Sequence, residues 1–238
     1  MAIKEKYKIK SISNSTAIEW LLKKHYARTT PIMMYIFGLY DENNIIVGVC
    51  VFSPAPSRFW NNGGKLFNDK HTIDVMELSR LVLNDNHEKN LTSFFVSGCL
   101  KLLPRPNVIV SYADTNQNHT GYIYQACNFI YTGEAKAMFK SKDWYFNGKK
   151  YHGRSMNLSM MKKLLGNKYN PDLKFDENII ANGGEVISQK NKHRYIFINA
   201  KNKKQLIQDM IYKSQPYPKN ENKNYDASFE PTIQMELF

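Results

Sequence analysis

The stretch IVSYADTNQNHTGYIYQACNFIYTG, Ile109–Gly133, decides how the whole chain is read. It belongs to the run Asn107–Asp114, apolar, β-branched and short enough to be one buried strand. Polar residues Thr115–Asn118 follow as a loop. From His119 to Asn128 the chain places Tyr122, Ala126 and Phe129 at spacings that share a helical face, with Tyr124 and Cys127 on the adjoining one. Phe129–Thr132 returns to β character and Gly133 closes it. A strand, a loop carrying Asp114 and His119, a tyrosine-rich helix and a second strand make a site scaffold. The reason is geometric, because ligands in open α/β sheets lie beyond the carboxyl ends of the strands.

Upstream of that stretch, Lys6–Ser13 reads as a first strand. Ser15 or Thr16 caps a helix over Ala17–Tyr26, with Ile18, Leu21, Leu22 and Tyr26 as its apolar stripe, and Pro31 ends the segment. Met34–Tyr40 and Ile45–Phe52 are apolar runs joined by Asp41–Asn44, a hairpin signal. Ser53–Lys70, with two prolines and two glycines, reads as a loop. Thr72–Leu83 is a strand interrupted by polar Glu77, Ser79 and Arg80. Leu91–Leu103 is an amphipathic helix that Pro104 stops. The resulting order (β-α-β-β-β-α-β-α-β) is a mixed α/β domain over residues 1–135; it matches the string of elements in the GNAT acyltransferase fold, a string that several other α+β folds share.

Downstream, Met138–Tyr151 mixes aromatics with lysines. Lys162–Glu177 is polar and poorly periodic, His193–Asn199 reads as a strand and Lys203–Tyr212 as a helix. Residues 136–219 are therefore expected to form a basic, aromatic-rich extension. Residues 220–238, polar and acidic, are expected to be a disordered tail.

The 238 residues carry a net charge of +12 and are 42% hydrophobic, enough for a packed core. Charge is unevenly placed: residues 136–215 hold 17 Lys and Arg against 6 Asp and Glu, so the excess lies almost wholly there. Such a segment is either a solvated lysine-rich surface or a nucleic-acid contact, and interleaved aromatics favour the second. No apolar run reaches the roughly 18–20 residues of a spanning helix, and MAIKEKYKIK lacks the apolar stretch of a signal peptide. Cys50, Cys99 and Cys127 each sit in apolar runs without a CxxC pair, so buried thiols and a cytoplasmic location are expected.

Four stretches together, HY.R..P (25–31), ELSRLVLND (77–85), SFFVSGCLKLLP (93–104) and VSYADTNQNHTGYIYQACNFIYTG (110–133), closely resemble the phage Mom family of GNAT-like DNA modification proteins. HGR (152–154), HRYIF (193–197) and PYPK (216–219) are similar to that family too, so the resemblance covers about residues 20–220. It implies conversion of adenine in double-stranded DNA to N6-carbamoylmethyladenine, which shields phage DNA from host restriction. It also implies acetyl-CoA in the cleft where the fourth and fifth strands part, with the pyrophosphate on amides at the start of the next helix. That start is Lys89-Asn-Leu-Thr-Ser93, without the usual glycine-rich loop. Lacking glycine, the backbone approaches a phosphate less easily, so Lys89, Thr92 and Ser93 have to compensate; the two hydroxyls could equally be plain helix caps.

The remaining site expectations follow residue by residue. Arg80 either pairs with Glu77 or contacts cofactor or substrate as a fixed fork of donors. Asp114 accepts a hydrogen bond from the adenine amine or makes an Asx turn. Tyr124 is the counterpart of the tyrosine that many GNAT proteins use as general acid toward the CoA thiolate, or else a core residue. His25 and Tyr26 end the first helix, where a protonated imidazole complements the dipole; a catalytic role, or iron held by His25 with Tyr26 or Asp114, competes with that. His119 reads as a loop residue. DNA contacts are expected from Trp144, Tyr145, Lys149, Lys150, Arg154 and Arg194, holding the duplex or wedging it open. Gln234-Met-Glu-Leu-Phe238 resembles the peptide by which bacterial replication proteins dock onto the sliding clamp, with Gln234, Leu237 and Phe238 as anchors. Two other readings remain: a non-catalytic DNA-binding protein on the same scaffold, or a plain N-acetyltransferase.

Overall fold

Strands that are apolar on both faces require helices above and below them, and this chain supplies both. The elements in chain order are α1 (Ile3–Lys6), β1 (Lys8–Ser11), α2 (Asn14–Lys23), β2 (Tyr35–Tyr40), β3 (Ile46–Pro54), α3 (Gly64–Phe67), β4 (Asp74–Leu83), α4 (Leu91–Leu102), β5 (Asn107–Asp114), α5 (Tyr122–Ala126) and β6 (Ile130–Ala135). Then come β7 (Lys142–Phe146), β8 (Lys149–His152), α6 (Leu158–Leu165), α7 (Phe175–Ala181), β9 (Glu185–Ser188), β10 (Lys192–Asn199) and α8 (Lys203–Asp209). The computed structural model describes residues 2–56, 59, 64–85, 87–135, 142–152, 156–188 and 190–219. The chain divides into two compact units, one of residues 1–114, 119–133 and 193 onward, the other of 115–118 and 134–192.

The first unit holds a seven-stranded sheet in the order β1-β2-β3-β4-β5-β10-β6. The first four strands pair antiparallel, whereas β4 and β5 run parallel. The period-two alternation sends Phe37, Leu39, Cys50, Phe52, Ile109 and Tyr195 to one face, where they pack on Phe95, Val96 and Cys99 of α4. Their neighbours Ile36, Val49 and Val51 meet Ala17, Trp20 and Leu21 of α2 on the other face. Farther along that face Val108, Val110, Ile196 and Ile198 meet Leu66, Phe67 and Leu206. This is the mixed α/β class expected, and its elements follow the expected order.

Several local expectations are corrected. Ser13, not Ser15 or Thr16, caps α2, its Oγ accepting from the Thr16 amide at 3.2 Å. The region expected as a loop contains α3, and Lys162–Glu177 contains the second half of α6 and the start of α7. The expected boundary at residue 135 does not end the core: β10 inserts between β5 and β6, and α8 packs on the same sheet. Beyond α8 the chain returns along β6, an edge strand, where the Gln215 amide donates to Tyr131 O at 2.8 Å and the Tyr217 hydroxyl to Phe129 O at 2.7 Å. These bonds cover part of an edge otherwise open to pairing. Cys50, Cys99 and Cys127 are buried free thiols. Among the described residues no helix is long and apolar enough to cross a membrane.

The second unit is a three-stranded antiparallel sheet, order β8-β7-β9, with its own core of Trp144, Phe146, Met156, Met161, Leu165 and Ile179. Asn147 and Gly148, at φ 49° and 71°, form the two-residue left-handed turn that suits strand twist in a hairpin. Buried Asn178 accepts from the Asn170 amide at 2.8 Å and donates to the carbonyls of Asn170, Leu173 and Lys174, tying down the turn before α7.

Candidate active site

The site begins where two parallel strands stop pairing. The β4–β5 register runs from Asp74 opposite Asn107 to Glu77 opposite Val110, and both strands continue past that point. Just beyond it the register of β3 with β4 shifts between Val51 and Phe52, leaving Ser79 as an extra residue in a bulge. A bulge bends its strand and re-aims the next side chain, and that side chain is Arg80. Its guanidinium donates to Ser79 O at 2.7 Å and to Thr29 Oγ1 at 3.0 Å, while Nε is buried without a hydrogen-bond partner. Burial lowers its pKa, and Tyr26 and Glu77 oppose that shift. The fork is thus held by Ser79 and Thr29, with the buried Nε left over.

Tyr124 stands at the same parting of strands. Gly121, at φ 81°, starts α5 with a backbone pressed against the Tyr195 ring where no Cβ would fit. One turn on, the half-buried Tyr124 ring packs at 5.4 Å from Phe129 and 5.3 Å from Tyr195. Its hydroxyl interacts with Ser111, the first residue past the last β4–β5 pair, whose own hydroxyl donates to Leu78 O at 2.9 Å. Burial pushes the Tyr124 pKa well above the ordinary tyrosine value, with Ser111 acting against the shift. At neutral pH Tyr124 therefore keeps its proton.

A cluster of rings forms the next wall. His25, buried just past the end of α2, stacks on Tyr26 at 4.5 Å, and His119 meets Tyr26 edge-on at 5.7 Å. Burial, with the nearby positive fields of Arg80 and His119, lowers the His25 pKa to about 4. Its Nδ1 accepts from the Ala27 amide at 3.1 Å, which puts the proton of the neutral ring on Nε2. The expectation of a protonated imidazole at a helix end is corrected, because burial beside Arg80 removes the charge. His119 lies in the loop after β5, as expected, and its ring joins this cluster, its amide donating to Asp114 O at 3.1 Å. Burial lowers its pKa and Asp114 opposes the shift. Asp114 ends β5 beside it, half-buried.

The start of α4 shows how the missing glycines are replaced. Asn90 precedes the helix in the left-handed region, φ 68°, and its side chain makes no cap. Asparagine is among the few residues that tolerate this conformation, so Asn90 supplies the turn that a glycine would. The Ser93 hydroxyl donates back to Asn90 O at 2.9 Å, and Thr92 Oγ1 lies 3.4 Å from His87 Nε2. The Leu91 amide donates to Glu88 O at 3.2 Å, and neither hydroxyl caps the remaining N–H groups of the first turn. Lys89 is exposed in the turn before them.

The residues expected to contact DNA divide sharply. Trp144 is in the core of the second unit, its Nε1 donating to Asp176 Oδ1 at 3.0 Å, so it is not a wedge. Arg194 is buried in the first unit, donating to Thr132 Oγ1 at 2.9 Å and Thr132 O at 2.8 Å and lying 3.5 Å over the Tyr212 ring. It is a structural residue. Tyr145 is half-buried, Lys150 pairs with Asp143 at 2.8 Å, and Lys149 is exposed. Arg154 and the C-terminal Gln234, Leu237 and Phe238 lie outside the described residues. Iron does not fit the described residues: no three His, Cys, Asp or Glu side chains among them converge as ligands, and the Ala27 amide occupies Nδ1 of His25.

Comparison with known proteins agrees with this arrangement at the level of family. The methylcarbamoylase mom of Escherichia phage Mu is 29% identical over 224 residues, which are 90% of this chain and 86% of that protein. Among solved structures, a ribosomal-protein-S5-alanine acetyltransferase from Vibrio fischeri aligns over 82% of this chain and 94% of its own at 12% identity, TM-score 0.43. A spermidine N-acetyltransferase from Vibrio cholerae, in complex with CoA and spermine, aligns over 82% and 96% at 9% identity, TM-score 0.45. The model of the Mom protein family matches residues 6–219, nearly the whole chain, and the chain belongs to that family.

Proposed function

We propose that this enzyme modifies the N6 amine of adenine in double-stranded DNA, taking an acyl group from acyl-CoA. Acyl transfer by itself yields an N6-acyladenine; the N6-carbamoylmethyladenine that membership of the family implies requires a further step with its own nitrogen donor, and shielding of phage DNA from restriction in the host cytoplasm is its purpose. One observation carries the reading: Tyr124, Arg80, Asp114 and the His25–Tyr26–His119 rings all gather at the carboxyl-terminal half of the two strands that part after Glu77 and Val110. That position is where an open sheet of this kind takes a ligand.

The residues fit an acyl-CoA. The left-handed Asn90, the first-turn amides of α4 and Lys89 suit a pyrophosphate, and the buried, unpartnered Nε of Arg80 suits a polar group of the ligand. Bound acyl-CoA would supply an activated acyl carbon and a thiolate leaving group. Tyr124, which holds its proton at neutral pH, is the donor for that thiolate. Asp114 accepts a hydrogen bond from the amine, concentrating on nitrogen a lone pair otherwise delocalised into the purine ring. An adenine inside a duplex must leave the stack, at a cost of a few kcal/mol, and the exposed face of Tyr26 offers it a ring to stack on. Lysines of the second unit hold the phosphates, and the C-terminal QMELF docks on a sliding clamp.

Nucleoside mass spectrometry of DNA from expressing cells tests the reading. A modified deoxyadenosine, lost in Tyr124→Phe, supports it. Tight DNA binding without modified nucleoside would make the chain a non-catalytic DNA-binding protein, and acetylated amines with unmodified DNA would make it a plain N-acetyltransferase.

A further inference from the structure

Extraction of a base from a duplex needs something to occupy the space it leaves, and Trp144 cannot do this because it is core. The segment after Tyr26 has the required build. Its first foot is fixed to the site: the Ala27 amide donates to His25 Nδ1, the Arg28 amide donates to His25 O at 2.9 Å, and Thr29 Oγ1 accepts from Arg80 at 3.0 Å. Its second foot is fixed to the sheet, where the Met34 amide donates to Phe52 O at 2.8 Å. Between the feet the chain carries Ile32, which is 76% exposed, more than any other large apolar side chain among the described residues. Arg28, also exposed, is held at φ 44°, a left-handed conformation that turns the chain sharply at the first foot.

An isoleucine so exposed between two anchored ends forgoes burial that a small shift of an unanchored loop would recover. Ile32 is three residues from Thr29, so its backbone lies within about 11 Å of that partner of Arg80. Proteins that unstack duplex DNA insert side chains of this kind, Ile, Leu, Met or Phe, between base pairs. We propose that the loop Thr29–Met34 is a wedge that opens duplex DNA, with Ile32 entering the stack beside the target adenine and Arg28 contacting the adjoining phosphate. This inference rests on the proposed action on duplex DNA, and it names the element that gives access to the base.

The test uses the full chain, and its first readout does not need turnover. Duplexes carrying 2-aminopurine in place of adenine, one position at a time, are titrated with wild type, Ile32→Ala and Ile32→Leu. Unstacking raises the fluorescence: wild type and Ile32→Leu are expected to raise it and Ile32→Ala is not. Modification of paired adenine is expected to fall about tenfold or more in Ile32→Ala, while an adenine opposite an abasic site, already unstacked, changes less than about twofold. Equal loss on both DNAs, no loss on either, or a fluorescence rise unaffected by Ile32→Ala would overturn the wedge. So would a change from dimer to monomer in Ile32→Ala by sedimentation, which would make the loop an interface between copies. Modified DNA with an intact Ile32→Ala activity removes the wedge and leaves the proposed function standing. A fluorescence rise without modified nucleoside does the reverse.

Discussion

Arg80 and His25 are coupled by one small set of interactions, and their side-chain states follow from it. The half-buried guanidinium, anchored to Ser79 and Thr29, is a fixed positive charge near His25, and burial of His25 does the rest. The His25 pKa of about 4 lies below its unperturbed 6.5, so acid favours the unfolded chain. That contribution to stability is full above pH 6.5, declines as pH falls toward 4 and is gone below it; the difference is worth about 3 kcal/mol. Denaturant titrations at pH 7 and pH 4 should show this loss, and His25→Phe should remove that part of the pH dependence. Tyr124 gives a separate prediction. As proton donor its replacement in Tyr124→Phe should lower kcat about 100-fold with little change in KM for DNA. A core tyrosine would instead show a shifted Tm and an ordinary rate. Asp114, Tyr124 and Arg80 are legible in the sequence because each sits at a countable position on a periodic element. His119 is not, because its ring reaches Tyr26 only through the left-handed Asn118, φ 55°, and the distant end of α2. Asn90 escapes a sequence reading for a related reason: a search for glycine overlooks the other residue that tolerates φ near +60°.

At the scale of elements, long apolar runs are legible and their partners are not. The strands and helices from β1 to β6 follow from period and punctuation, since each buries a face that the sequence displays. β10 reads as a strand from HRYIFIN, yet nothing local says that it inserts between β5 and β6; that depends on Thr132 and Arg194 finding one another across 62 residues. The same pairing explains why a basic residue in a basic segment is no DNA ligand. Arg194→Lys keeps the charge but loses the fork, and should cost about 2–3 kcal/mol in denaturant unfolding while leaving the salt dependence of DNA binding unchanged. Trp144 repeats the lesson in the second unit. Composition alone cannot separate an aromatic that stacks on a base from one that fills a small core, and here the period-two pairing of Trp144 with Phe146 decides. Trp144→Ala should therefore unfold that unit, at about 3–5 kcal/mol, and any loss of DNA affinity should track the loss of fold.

For the molecule as a whole, the proposed function gives the +12 charge and the C-terminal peptide two separable parts in finding DNA. Several lysines of the second unit are already engaged, Lys142 with Asp176 and Lys150 with Asp143, which reduces what the raw charge promises. Lys149, Lys162, Lys163 and Lys168 are exposed and are the better candidates for holding phosphates. Removing one lysine–phosphate ion pair should flatten the slope of log affinity against log salt by about 0.9, so the four Lys→Gln changes together should flatten it by several units; an unchanged slope would make them a solvated face. The proposed clamp peptide would act differently. The hydrogen bonds of Gln215 and Tyr217 fix the chain on β6, and QMELF begins 17 residues after Tyr217 in the sequence. Engagement of a clamp already encircling DNA would then raise the local concentration of duplex without adding any direct interaction with it. Leu237→Ala with Phe238→Ala should abolish clamp pull-down and lower marking of replicating DNA in cells, yet leave the rate on purified duplex unchanged. Retained pull-down would remove the clamp as partner, and an equal loss on purified duplex would place those residues in DNA binding or folding instead.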